Sequence, residues 1–218
     1  MADVSRQIRA SSSEKTEAIE GCGPGRPRLA LGALALAILA LSACQPYQFK
    51  GTEYTDPQPA PDFELVRADG GTLKLSDLRG RSVLLFFGFS ACPDVCPTTL
   101  ADAARILEGM GKEAAEAEYL FVTVDPERDT PEVLQRYIAN FDPAIVGLTG
   151  SSESLARVWA DYGIYVEKVP LEGSAQDYSV THTARVFIID ADGRLRLSYT
   201  FGTPYLDILS DLRELLAA

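Results

Sequence analysis

Seven consecutive residues, Val83-Leu-Leu-Phe-Phe-Gly-Phe89, contain no polar side chain, and two residues later the chain enters Cys92-Pro93-Asp94-Val95-Cys96-Pro97. A short continuous apolar run of this kind is a strand buried on both faces, so the sheet that holds it must be covered by helices. The elements that follow supply that cover. Thr98–Gly111 reads as a helix with Leu100, Ala103, Ala104 and Leu107 on one face. Tyr119–Val124 is a second central strand. Thr130-Pro131 opens a helix to about Phe141, with proline at its favoured first position. Val146–Thr149 is a short strand, and Ser151–Tyr162 a helix closed by Gly163.

Val180–Asp190 reads as one strand, turning at Asp192-Gly193 into its antiparallel partner Arg194–Thr200. Tyr205–Leu216 is the closing amphipathic helix. Upstream, Phe63–Val66 and Thr72–Leu75 flank Asp69-Gly70-Gly71 as a hairpin. Two βα crossovers followed by a hairpin and a helix give an α/β domain over 63–218, with a central mixed sheet flanked by helices and an N-terminal hairpin. With a cysteine pair after the first buried strand, this is the thioredoxin-like plan.

The first 62 residues have a different character. A polar stretch ending in Gly25-Arg26-Pro27-Arg28 precedes thirteen apolar residues, Leu29–Leu41, and then Ser42-Ala43-Cys44. A basic region, a short apolar core and small residues mark a secretory signal. Thirteen residues fall short of the ~20 that span a bilayer as a helix; an uncleaved transmembrane anchor is the alternative. Leu41-Ser42-Ala43-Cys44 resembles the lipobox of bacterial lipoproteins, which implies a signal peptide over 1–43, cleavage before Cys44 and a lipid on its thiol. The Pro-rich stretch from the lipidated Cys44 to residue 62 is then expected to be a flexible tether. This places the domain on the bacterial cell membrane, facing the periplasm or other extracytoplasmic space.

Charge narrows the partners. Twenty basic against 31 acidic residues give a net charge of −11; without residues 1–43 the balance is 15 against 27, or −12. Such a surface repels phosphate backbones, so no nucleic-acid partner is expected. Four cysteines and one histidine do not supply the four ligands in paired spacing that a zinc ribbon needs.

The chemistry therefore rests on Cys92, Cys96 and His182. Two thiols one helical turn apart can point the same way, and free N–H groups at a helix start favour the thiolate, which binds metals or attacks disulfides. A purely structural disulfide is the competing reading. His182 is the single histidine of the chain. In a sheet of this kind strand ends and helix starts share one edge, which can bring it to the cysteines. Two thiolates and an imidazole suit Cu(I). Cu(II) would call for a fourth donor, and zinc would accept the same ligands.

Three blocks in order, Phe87–Pro97, Val124-Asp125-Pro-Glu-Arg-Asp129-Thr-Pro131 and Tyr178-Ser-Val-Thr-His182-Thr, resemble the Sco/SenC family over about residues 60–216. The resemblance implies a thioredoxin-like fold and one copper ion, Cu(I) or Cu(II), held by Cys92, Cys96 and His182. It implies a chaperone that delivers copper to the binuclear copper centre of cytochrome c oxidase subunit II. A periplasmic copper donor is a further expected partner, and the membrane is reached through the lipid anchor. The alternative is a thiol–disulfide oxidoreductase that uses a redox-active Cys92–Cys96 pair on that subunit or on other exported proteins. A peroxidase is disfavoured by the paired cysteines. A chaperone needs no turnover, so an enzyme is not expected. Thr181 departs from the acidic residue that many members carry before the histidine. Asp125 and Asp129 are expected to cap the turn and the helix ahead of Pro131, and Asp94 to be solvated.

Overall fold

In the computed structural model, which describes residues 46–171, 173 and 177–217, the apolar run lies where its composition requires. All seven residues of β4 (Ser82–Gly88) are buried. The strand is paired on both edges, parallel to β5 (Ala117–Thr123) and antiparallel to β9 (Arg185–Ile189). Eight strands form the sheet, in the order β1 (Thr52–Glu53), β10 (Leu195–Thr200), β9, β4, β5, β6 (Ile145–Thr149), β2 (Glu64–Arg67) and β3 (Thr72–Lys74). β4, β5 and β6 are parallel and the other pairings antiparallel. This is the expected thioredoxin-like α/β architecture with its N-terminal hairpin, β2–β3.

The parallel strands need crossovers, and helices provide them. α1 (Val95–Met110) links β4 to β5 and buries Leu100, Ala103, Ile106 and Leu107. α2 (Pro131–Ile138) links β5 to β6 and sets Leu134 and Ile138 so close to Gly147 that a Cβ there would lie 3.1 Å from each. α3 (Ser152–Asp161) starts on a Ser151 cap. α4 (Tyr205–Ala217) packs along α1, Leu209 filling the space beside Gly109. Phe86, Phe87, Phe121, Leu84, Leu85 and Leu120, from the two central strands, are completely enclosed between these layers. Burying them supplies roughly 1.5–3 kcal/mol per side chain before the entropy of ordering is subtracted.

Three features differ from expectation. α1 begins at Val95 rather than Thr98, because Pro97 falls in the first turn, where a missing N–H costs no helical bond. The expected strand Val180–Asp190 is two strands in two sheets. β8 (Tyr178–His182) pairs with β7 (Val166–Pro170) in a separate antiparallel ribbon, and β9 resumes in the main sheet after Thr183-Ala184. The run has no Gly or Pro to mark the break; a partner strand twelve residues and more upstream imposes it.

The segment expected to be a free tether is docked from Tyr47 onward. β1 pairs with β10, Ala60 N–H donates to the Gly193 carbonyl (2.9 Å), and Tyr47 donates to Asp211 (2.8 Å). Polar, Pro-rich composition concealed this, since the contacts are mostly made by backbone groups. Among the described residues no helix is long and apolar enough to cross a membrane. The expected signal peptide 1–43 and Cys44 lie outside the described residues.

Candidate metal centre

The end of β4 and the start of α1 create a tight corner. Gly88 is the last residue of the strand, and a Cβ at this position would stand 2.9 Å from Cys96 Sγ and 2.7 Å from the Phe121 ring. The absent side chain is what allows the Cys96 sulfur to lie against the strand. Cys96 is fully enclosed in the first turn of α1, whereas Cys92 precedes the helix and is half-buried. Both thiols are free.

The two cysteines are chemically different. The Cys96 N–H donates to Cys92 Sγ at 3.4 Å, so the sulfur does for the helix start what a capping oxygen usually does. Asp94, the residue preceding the helix, makes no side-chain capping bond and is exposed, as expected. The hydrogen bond from the Cys96 thiol, helped by the backbone N–H groups of Asp94 and Cys96 and by nearby His182, pushes the Cys92 thiol down to about 5 against the opposing effect of burial. The hydrogen bond it donates to Cys92, its enclosure and the Cys92 charge drive the Cys96 thiol strongly upward. A thiolate–thiol pair results, with the nucleophilic sulfur on the outside.

His182 reaches this pair from the end of the β7–β8 ribbon. Its Nε2 is 3.9 Å from Cys96 Sγ, and its Nδ1 is 3.1 Å from the Thr183 carbonyl. A carbonyl only accepts, so Nδ1 carries the proton and the Nε2 lone pair is turned to the sulfur. Burial lowers the imidazole's affinity for a second proton, partly offset by that carbonyl and by the Cys92 charge. The Phe89 ring packs edge-to-face on the imidazole, with centroids 5.8 Å apart.

Asp125 and Asp129 do not cap the helix. Thr130 does, accepting from the Val133 N–H. Both carboxylates are fully enclosed, and each joins a local partner to a distant one. Asp129 accepts from the Ser90 N–H (3.2 and 3.3 Å), from the Ser90 hydroxyl and from Thr123 Oγ1 (2.6 Å). The loop that carries Cys92 is thereby tied to β5 and to the entrance of α2. Asp125 pairs with Arg128 and accepts from the Tyr178 hydroxyl at 2.7 Å. Ser90, Phe89, Arg128 and Tyr178 all lie within the three blocks that carry the family resemblance, but the sequence held no signal of the contacts they make.

Cys92 and Cys96, at the corner between β4 and α1, are thus met by His182 from the end of the separate β7–β8 ribbon. Among the described residues no three His, Cys, Asp or Glu side chains are grouped so as to hold a metal ion. A thiolate, a thiol and a neutral imidazole together suit a soft ion such as Cu(I), and the half-buried thiolate by itself suits thiol–disulfide exchange.

Comparison with known proteins identifies the family. Residues 52–217 match the SCO1/SenC family. The SCO2-like protein of Rickettsia prowazekii is 36% identical over 146 residues, covering 67% of this chain and 69% of that protein. Among solved structures, Bradyrhizobium japonicum ScoI with copper bound is 35% identical with a TM-score of 0.67, covering 72% of this chain and 99% of that one. A SCO1/SenC family lipoprotein from Bacillus anthracis is 28% identical with a TM-score of 0.64, covering 74% and 98%. BsSco, described as having a disulfide switch and as a member of the Sco family of cytochrome c oxidase assembly proteins, is 25% identical with a TM-score of 0.61, covering 78% and 98%. With three quarters of its length matched in order and the fold shared throughout, the chain belongs to the SCO1/SenC family.

Proposed function

We propose that this protein is a copper chaperone that binds one copper ion through Cys92, Cys96 and His182 and hands it to the binuclear copper centre of cytochrome c oxidase subunit II during assembly. The observation that carries the reading is the approach of the Nε2 lone pair of His182, from the β7–β8 ribbon, to the Cys92–Cys96 pair at the start of α1. The copper-bound structure of the Bradyrhizobium relative supports the choice of ion. Transfer proceeds by ligand exchange: an incoming thiolate or imidazole of the partner replaces one protein ligand at a time, beginning at half-buried Cys92. The lipobox at Leu41–Cys44 and the lipoprotein relative support anchorage through Cys44 with the domain on the extracytoplasmic side.

A specific observation also favours thiol–disulfide exchange. The half-buried sulfur of Cys92 is favoured as a thiolate with an enclosed thiol beside it, the arrangement of an attacking and a resolving cysteine. Reduction of the target's cysteines before metallation would use the same pair.

Copper titration of the reduced protein tests the first reading, with X-ray absorption and the variants Cys92→Ser, Cys96→Ser and His182→Ala. The expected result is one Cu(I) with sulfur ligation, lost or weakened in all three. Reduced protein that ignores copper yet exchanges readily with a disulfide would overturn it in favour of the reductase.

A further inference from the structure

The ribbon that carries His182 is not hydrogen-bonded into the main sheet, so side chains must fix where the imidazole stands. Four of the five β7 residues are exposed. On β8 the residues Tyr178, Val180 and His182 alternate onto one face, and the fastening is concentrated at Tyr178.

Arg128 Nη1 donates to the Tyr178 carbonyl (2.9 Å) while its guanidinium packs on the Tyr178 ring, 4.0 Å from the centroid. The Tyr178 hydroxyl donates to Asp125 Oδ1 (2.7 Å), and Asp125 pairs in turn with Arg128. Lys168 of β7 adds a second cation, 4.8 Å from the same ring, and bridges to Glu127 (2.5 Å). Arg128 also lies 5.8 Å from the Phe89 ring, the ring that packs on the imidazole. One guanidinium therefore touches both things that surround His182: the strand it stands on and the ring beside it.

We propose that Asp125, Arg128 and Tyr178 form a clamp that positions His182 for the metal, holding the β7–β8 ribbon at the register that points Nε2 at Cys96. The clamp touches neither sulfur, so it acts on one ligand of the three. The proposal rests on the copper reading for its purpose, but the geometry it asserts belongs to the metal-free protein.

Removing Arg128 altogether would leave the enclosed Asp125 carboxylate without its cation and destabilise the chain as a whole, so the informative variant is Tyr178→Leu, with Tyr178→Phe as the conservative rescue. Arg128→Lys, which keeps a cation beside Asp125 but loses the bond to the Tyr178 carbonyl, is the second variant. Three readouts are taken on purified, reduced protein. They are the nuclear Overhauser contact between Phe89 and His182 without metal, Cu(I) affinity with the nitrogen hyperfine pattern of the Cu(II) form, and the rate of thiol exchange with oxidised dithiothreitol.

In Tyr178→Leu and Arg128→Lys the Phe89–His182 contact is expected to disappear, copper affinity to fall about tenfold and the nitrogen pattern to weaken. Thiol exchange is expected to change much less than copper affinity, because both cysteines stay on the β4–α1 corner and the clamp touches neither sulfur. Tyr178→Phe, which keeps the stacked ring, is expected to restore most of the loss. A Tyr178→Leu protein with the Phe89–His182 contact and wild-type affinity intact overturns the clamp. If the wild-type protein binds no copper, the copper reading falls, and the Phe89–His182 contact still decides the clamp.

Discussion

The carboxylate of Asp129 is bound to Ser90, 39 residues earlier in the chain, through both the backbone N–H and the hydroxyl of the serine. Ser90 lies two residues before Cys92, so this contact sets the path of the loop that presents the outer sulfur. Replacement by alanine leaves the Ser90 N–H and Thr123 Oγ1 without their acceptor in an enclosed site. Asp129→Ala is expected to cost about 3 kcal/mol, read as a lower midpoint in urea, and to weaken copper binding along with it. Asp129→Asn, which keeps one acceptor oxygen, should cost about half as much. An Asp129→Ala protein as stable as the wild type would show that the contact does not hold the loop.

Gly88 makes the opposite kind of demand, for space rather than for a partner. A methyl group there meets Phe121, Cys96 Sγ and Phe86 at 2.7–3.0 Å, contacts that the central strands cannot yield without shifting. Gly88→Ala is expected to destabilise by about 1–3 kcal/mol and to push the Cys96 sulfur away from the strand, so that copper affinity falls by more than the stability loss alone predicts. Calorimetry and copper competition on the same variant check both parts; unchanged affinity in the folded variant would show that the corner tolerates the movement.

How much of this was legible beforehand varies by residue, for physical reasons. Val83–Phe89 followed by Cys92 and Cys96 announced itself, because a strand buried on both faces and a cysteine pair at a helix start are local patterns. The ribbon was hidden: Val180–Asp190 is uniformly β-favouring, and only the pairing of β8 with Val166–Pro170 shows that it must break after His182. Asp125 and Asp129 looked like turn formers because that role is the short-range option, whereas beside their local partners Arg128 and Thr123 they also hold Tyr178 and Ser90, 53 and 39 residues away. The docked course of residues 47–60 was illegible for a related reason, its contacts being made mostly by backbone amides that composition does not register.

The Cys92 thiol, pushed down to about 5 mainly by the Cys96 thiol, gives a pH dependence with a definite sign. Alkylation requires the thiolate, so the Cys92 rate with iodoacetamide is expected to be nearly flat above about pH 6.5 and to fall as the pH drops through about 5. An unperturbed thiol, with a pKa near 8.5, would instead gain tenfold per pH unit up to about pH 8. Cys96, enclosed and driven upward, should remain unmodified in the folded protein. In Cys96→Ala the principal donor to Cys92 is gone, and the profile should move to higher pH. A wild-type rate still climbing between pH 7 and 8 would exclude the thiolate–thiol pair.

Asp211, on the enclosed side of α4, ties the start of the domain to its end. Its carboxylate accepts from the Tyr47 hydroxyl (2.8 Å), the Lys50 and Gly51 N–H groups (2.8 and 3.0 Å) and the Tyr199 hydroxyl (2.9 Å). A carboxylate so enclosed is stable only because its lone pairs are filled, and the backbone donors have no alternative partner there. Asp211→Ala is therefore expected to lower stability by about 3 kcal/mol and to release the segment from Tyr47 toward Pro59, seen as new proteolytic cuts there and as loss of amide protection at Lys50 and Gly51. Asp211→Asn, which can still accept but adds two donors of its own, should fall between the two. Under the proposed lipidation of Cys44, the latch leaves only Gln45 and Pro46 between the anchor and the first docked residue, and its removal would restore a leash reaching to about residue 60. Unaltered amide protection in Asp211→Ala would mean that the β1–β10 pairing alone holds the segment.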